Sequence, residues 1–180
     1  SRLAPYKSKF DAWTSIIAAA SNDHVMLSAS AQFSPKPYEG HQYRYFVWGS
    51  SISVVELDVL TGETQILRSD LVYDCGVSLN PAIDIGQVEG AFVFGIGTFL
   101  SEEVVIDESN GTLLSNGTWD YKPPASKCIP VEFNVTFLEN SKNPTGVLSS
   151  KATGEPPYSF ANSVYFALRH CIDAAREDAG

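Results

Sequence analysis

Cysteine is scarce in this chain and poorly arranged for a metal. Cys75, Cys128 and Cys171 lie far apart, with no C-x-x-C pair and no Cys/His cluster. That pattern speaks against a zinc site and against a disulfide framework. Scattered thiols in odd number suit a reducing compartment, so a cytoplasmic location is expected. Positive charge is also thin: 12 Lys and Arg face 21 Asp and Glu, for a net charge of -9. Without a cationic surplus to displace phosphate counterions, nucleic acid is excluded as a partner. No run of 18 apolar residues occurs, so no membrane partner is expected. The first residues, Ser1-Arg2-Leu3-Ala4-Pro5-Tyr6-Lys7, hold neither an initiator Met nor an apolar signal core. The chain is therefore expected to start after processing or within a longer protein.

What is present is globular. Apolar residues make up 44% of the 180 and charged residues 18%. A chain of this length can bury about 70% of its unfolded surface, enough for one domain without staples, or two small ones. Three triplets, Asn110-Gly111-Thr112, Asn116-Gly117-Thr118 and Asn134-Val135-Thr136, fit the N-glycosylation acceptor pattern. They leave a secreted glycoprotein binding module as a minority alternative.

The elements read as a mixture. Asp11 is placed to cap a helix carrying Trp13, Ile16, Ile17 and Ala20 on one face. Residues 31–42 hold two prolines and a glycine and read as a loop. Tyr43 to Val59 and Thr64 to Tyr73 are rich in aromatic and β-branched residues, with a hairpin turn at Leu60-Thr61-Gly62-Glu63. Asn80-Pro81 offers a cap and first turn for a helix in which Val88, Phe92, Ile96 and Phe99 recur at helical spacing. Gly86, Gly90, Gly95 and Gly97 are costly there, about 1 kcal/mol each against Ala, and call for close packing of a backbone or a ligand.

Further along, Glu103 to Asp107 and Thr112 to Leu114 look like strands about a turn. Ile129, Val131, Phe133, Val135 and Phe137 alternate with polar residues or proline as a half-buried strand. A last helix places Val164, Leu168, Cys171, Ile172 and Ala175 on one face, and its end from Arg176 is expected to fray. Helices and strands are mixed without regular alternation. The expected class is α+β, with mixed or antiparallel sheets and packed helices.

The stretch Ser149-Ser150-Lys151-Ala152-Thr153-Gly154-Glu155-Pro156-Pro157 is the most unusual. Pro156 biases Glu155 toward extended backbone, Gly154 permits close contact, and two prolines keep the segment out of a ladder or helix interior. A carboxylate on a stiff, irregular support suits a general base, because about 1 Å of misplacement can cost two orders of magnitude in rate. The same residues would also serve as a plain helix lead-in with an exposed acid. His24, His41 and His170 show no metal spacing, Asp70 and Asp74 suit turns and strand ends, and Trp119 to Lys122 follow a turn that could approach a ligand.

At these residues the chain resembles the C-terminal molybdenum-cofactor (molybdopterin-binding) domain of the xanthine dehydrogenase/aldehyde oxidase family. Four blocks carry the resemblance, in order over nearly the whole chain. They are Arg2 to Lys7 with Val25 to Ala29, Glu56 to Glu63 with Leu67 to Asp70, Ser78 to Phe92, and Ser150 to Pro157. The resemblance implies that residues 1–180 are a portion of a larger enzyme that oxidatively hydroxylates purines, N-heterocycles or aldehydes with water-derived oxygen. Glu155 matches the catalytic base of that family, and Gln87 a glutamine that hydrogen-bonds the pterin. Lys151 and Gly154 lie in the segment running past the cofactor and take a supporting role in binding it.

The implied cofactor is molybdenum held by the pterin's own sulfurs, so no protein metal ligand is expected. The full-length enzyme would add 2Fe-2S clusters and FAD, which this segment does not bind. Its partners would be the small-molecule substrate, the remaining domains and a second copy in a homodimer. The segment alone is expected to be inactive. Phe94, where xanthine dehydrogenases commonly have glutamine, and Thr153, in place of a common valine, are departures that leave substrate and subfamily open. A non-catalytic relative keeping the fold as an interaction module is a further alternative, against which the intact Glu155 and Gln87 speak.

Overall fold

The computed structural model describes residues 2–32, 40 and 42–180. The loop expected over 31–42 and His41 fall largely on residues 33–39 and 41, outside the described ones. The chain forms two compact units, Ser1–Ser34 and Pro35–Gly180.

The first unit holds two helices, α1 (Ala4–Lys7) and α2 (Trp13–Asn22). Ile16 and Ala20 are its buried residues, as the helical spacing predicts, while Trp13 stays exposed. Asp11 does not cap α2. Ala12 occupies that position with no side-chain bond, because the acid stands one residue too early in the chain.

The second unit is built on one three-stranded sheet in the order β1 (Gly49–Leu57), β2 (Thr64–Tyr73), β3 (Glu132–Phe137). β1 and β2 form the expected antiparallel hairpin. Its turn is wound by Asp58, whose Oδ1 accepts from the N–H groups of Leu60 and Thr61 at 2.9 and 3.2 Å. β3 lies parallel to β2, from Arg68 opposite Glu132 to Tyr73 opposite Phe137. A parallel return needs a long crossover, which here contains α3 (Pro81–Leu100). The sheet is thus mixed and the class α+β, as expected.

α3 starts where the sequence places it. Asn80 is extended and its side chain accepts from Ile83 N at 3.4 Å, with Pro81 as the first helical residue. Its length and apolarity would suffice to cross a membrane, yet its inner face forms the core of this unit. Val88, Phe92 and Ile96 meet Ile66, Leu71 and Tyr73 of β2 and Val164 and Leu168 of α5 (Asn162–Ala179). Phe133, Val135 and Phe137 close the cluster from β3. Burying a side chain such as Phe92 stabilises by about 1.5–3 kcal/mol, so these contacts fix the helix over the sheet. α5 does not fray at Arg176 but runs to Ala179, with Arg176 Nη1 lying 3.7 Å from Asp173 Oδ1. A basic residue in the last turn also suits the helix dipole.

Two expected strands are missing. Residues 103–107 and 112–114 make only a single bridge, Ile106 to Leu113. Asp107 draws the connection tight by accepting from Ser109 N at 2.9 Å, Ser109 Oγ at 2.7 Å and Asn110 Nδ2 at 2.9 Å. Such local side-chain bonds compete with a ladder. The aromatic run from Tyr43 likewise joins β1 only at Gly49.

Candidate functional site

The site is assembled where β2 ends, α3 begins and the segment before α5 returns. Beyond β2 the backbone of residues 75–77 runs antiparallel to 149–151. Lys151 N donates to Cys75 O and Val77 N to Ser149 O, both at 2.9 Å, about a bridge between Gly76 and Ser150. Asn143 is buried and braces the return from behind. Its Nδ2 donates to Ser150 O at 2.8 Å and its N–H to Ser149 Oγ at 3.0 Å.

Every residue from 149 to 153 is held. The Tyr45 hydroxyl accepts from Ala152 N at 3.1 Å, and the Tyr73 hydroxyl donates to Ala152 O. Thr153 Oγ1 donates to Asp84 Oδ1 at 3.2 Å. Gly154 then passes beside Gln87, such that a Cβ at residue 154 would stand 2.9 Å from Gln87 Oε1. Glu155 follows, its carbonyl accepting from Tyr158 N at 3.1 Å as the 3₁₀ turn Pro156–Ala161 begins.

The strongest anchor is an ion pair. Lys151 Nζ lies 2.5 Å from Asp74 Oδ2, with the two side chains only 8% and 4% exposed. Asp74 Oδ1 accepts from Gly76 N at 3.0 Å and also from the Ser141 hydroxyl. Burial pushes the Asp74 pKa up, but the bonds from Lys151, Ser141 and Gly76 and the Lys151 charge outweigh it and hold the carboxyl below its usual range. Burial likewise pushes the neighbouring Cys75 thiol up, reinforced by the Asp84 charge.

The structure brings Gln87, Lys151, Gly154 and Glu155 together in unequal roles. The Lys151 ammonium turns inward to Asp74, so what it offers a cofactor is placement of the backbone. Gln87 and Glu155 are exposed, and neither side chain has a hydrogen-bond or ion-pair partner among the described residues. A primary amide with donor and acceptor both free, beside a glycine and a free carboxylate, fits a heterocyclic cofactor. A larger residue at 154 would fill the space against the amide. Among the described residues no cluster of three or more His, Cys, Asp and Glu could hold a metal ion directly.

Asp74, Asp84, Asn143, Tyr45 and Tyr73 are the supports that sequence reasoning missed. Asp74 was expected only at a strand end, and its partner is 77 residues away in sequence. Asp84 carried the one readable signal, an acid in the first turn one helical turn before Gln87. Trp119 on α4 (Thr118–Tyr121) is 86% exposed and bonded to none of the site residues. Two of the glycosylation triplets have their amide nitrogens engaged, Asn110 on Asp107 and Asn134 on Asp70, each at 2.9 Å.

Residues 2–130 match the model of the molybdopterin cofactor-binding domain. The chain is 51% identical over 179 residues to probable aldehyde oxidase 2 of Oryza sativa subsp. japonica, covering 98% of this chain and 13% of the relative. It is 48% identical over 165 residues to abscisic-aldehyde oxidase of Arabidopsis thaliana, covering 92% of this chain and 12% of that protein.

Among solved structures, quinoline 2-oxidoreductase from Pseudomonas putida 86 superposes with a TM-score of 0.57 at 31% identity, over 64% of this chain and 14% of that one. Aldehyde oxidoreductase from Desulfovibrio gigas gives a TM-score of 0.55 at 25% identity, over 65% of this chain and 12% of that one. The chain thus spans about an eighth of the length of the curated relatives it matches. It belongs to the molybdopterin cofactor-binding domain family.

Proposed function

We propose that this chain is the part of a molybdenum hydroxylase of aldehyde oxidase type that supplies the general base, Glu155, and a pterin-binding amide, Gln87. One observation carries the reading: two exposed polar side chains with no bonding partner among the described residues meet at Gly154, Gln87 from α3 lying against it and Glu155 following it, just after residues 149–153, each of which is hydrogen-bonded. The relatives named as aldehyde oxidases favour an aldehyde as substrate over a purine.

When bound, the molybdenum–pterin group supplies the two-electron redox chemistry. The protein's part is orientation and proton handling. The Gln87 amide, donor and acceptor at once, would hold the pterin edge, and Gly154, with no side chain, would leave room beside it. The Glu155 carboxylate, exposed and with no ion-pair partner among the described residues, would take up the proton of the attacking oxygen nucleophile. Lys151, held by Asp74, keeps the base's backbone in register through the Cys75 and Val77 bonds. The rest of the protein would complete the pocket and carry the electrons away through its iron–sulfur clusters and FAD, in a cytoplasmic homodimer.

The test is Glu155→Gln in the full-length protein. Molybdenum and pterin contents should stay at the parent level, while substrate-dependent reduction of the metal centre falls by about 10²–10⁴-fold or more. Normal reduction at normal metal content would sink the reading.

A further inference from the structure

Residues 43–48 lead into β1 and are fixed at two places. Trp48 O accepts from Asp74 N, and Arg44 O accepts from Thr145 Oγ1, both at 2.9 Å. Tyr45 lies between these ties, half-buried, and its hydroxyl accepts from Ala152 N at 3.1 Å. The carbonyl of the same residue accepts from the Tyr73 hydroxyl. Ala152, three residues before Glu155, thus has both its backbone polar groups held by phenols. Each belongs to a rigid peptide plane, so holding both fixes the direction in which the chain leaves toward Gly154 and Glu155.

The two phenols differ in what they need. Tyr73 is wholly buried in the core, so its hydroxyl requires an acceptor whatever the site does. Tyr45 is open enough for water to replace Ala152, and such an exchange of partners carries little net stability. What its bond supplies is placement. The hold is on the backbone, so it works with any side chain at 152 or 153, including the valine common at 153 in the family that the chain resembles.

We propose that Tyr45 is a positioning residue for the candidate base: by accepting from Ala152 N, its hydroxyl sets the line along which residues 153–155 carry the Glu155 carboxylate past the Gln87 amide. The inference rests on the function proposed above for Glu155 and Gln87. Tyr45 need touch neither cofactor nor substrate. A reacting group must stand within about 0.5 Å of its productive place, and that precision comes from its supports. A shift of about 1 Å costs about 10²-fold in rate, so a fraction of that shift is enough to be read.

Tyr45→Phe is the informative change, since it keeps the ring and removes only the acceptor. In the full-length protein it should lower kcat by about 10-fold, with KM within about 2-fold of the parent, because substrate binding is not what Tyr45 controls. Molybdenum and pterin contents should stay at the parent level. Amide hydrogen exchange at Ala152, measured without turnover, should speed up by about 10-fold or more as its acceptor is lost. The Lys151 and Val77 amides, bonded to Cys75 O and Ser149 O, should keep their rates. Tyr43, two residues away, is exposed and its hydroxyl bonds to none of the described residues, so Tyr43→Phe should change neither kcat nor exchange.

Parent-level kcat in Tyr45→Phe would overturn the proposal, as would an equal loss in Tyr43→Phe or a loss that lies in KM alone. The Glu155→Gln protein tells this failure from that of the function. An inactive Glu155→Gln beside a fully active Tyr45→Phe would keep the base and remove the positioning role. Full activity in Glu155→Gln would remove the base, and faster exchange at Ala152 would then leave only the backbone tie standing.

Discussion

At the scale of single residues, the molecule places its costliest polar group where the candidate base must be held. Lys151 and Asp74 are almost wholly buried, and such a pair contributes little net stability once desolvation is counted. What it supplies is an arrangement that cannot be altered on one side alone. Removing the cation leaves Asp74 charged and buried, with only Ser141 and Gly76 N–H as donors, at a cost of about 3–5 kcal/mol. Cys75 next door reports on this, being a free thiol with 1% exposure. In Lys151→Met the thiol should react with a labelling reagent about 10²–10⁴-fold faster than in the parent, since labelling follows the open population. Arg68→Met, which removes an exposed pair with Asp70, should leave the labelling rate unchanged. Equal rates in all three proteins would show that the Lys151 pair does not restrain the segment.

At the scale of elements, α3 shows how one helix can serve two surfaces. Its four glycines were expected to share one packing reason, and they divide instead. A Cβ at Gly95 would meet Tyr158 O at 2.3 Å and Ala161 Cβ at 2.7 Å, so this glycine lets the 3₁₀ turn after Glu155 lie against the helix. Gly86 and Gly90 have nothing within 4 Å and face a groove of about 640 Å³ shared with Phe94, Pro123 and Pro124. Gly95→Ala should therefore lower the melting temperature, whereas Gly86→Ala should raise it through a propensity gain of up to about 1 kcal/mol. A melting temperature raised by both would contradict the close contact at Gly95. Much of this element was legible in sequence: the Asn80-Pro81 start, the buried Val88, Phe92 and Ile96, and its place after the hairpin. Those features are local and periodic. What Gly95 meets was not legible, because Tyr158 and Ala161 stand more than sixty positions away in sequence. The same limit hid the Lys151–Asp74 pair and the parallel placement of β3, whose alternation is the same for either strand direction. Glu155 was legible from its Gly-Glu-Pro-Pro setting and Gln87 only from motif resemblance, and their lack of partners among the described residues is a fact of the folded arrangement alone.

At the scale of the whole molecule, two opposed effects of pH meet. The net charge of -9 favours protonation, because acid relieves self-repulsion. Specific bonds favour ionisation. Asp58 is held low by the Leu60 and Thr61 N–H groups, Asp70 by Arg68 and Asn134, Asp107 by Ser109, and Asp74 by its bonds against its own burial. At physiological salt, repulsion between charges more than about 8 Å apart is largely screened, whereas these direct bonds are not, so the bonds decide. A carboxylate whose folded pKa is depressed adds stability that is complete above its unfolded value, near 3.9, and is lost as pH falls through the folded value. The melting temperature should thus hold from about pH 5 to 8 and drop below about pH 4. On the alkaline side the sign reverses. Burial raises both the Cys75 thiol and the Tyr73 phenol above their ordinary values, so the folded state keeps those protons longer. Their stabilisation is complete below the unfolded values, about 8.5 and 10, and is lost as pH rises beyond them. Cys75 titrates first when unfolded, so it sets where the alkaline decline begins. Cys75→Ala should lower the plateau through the lost packing and move the onset of that decline upward by about one pH unit, toward the Tyr73 range. Melting curves of parent and variant between pH 3 and 11 test both limbs, and an onset that stays in place in Cys75→Ala would remove the thiol as its cause.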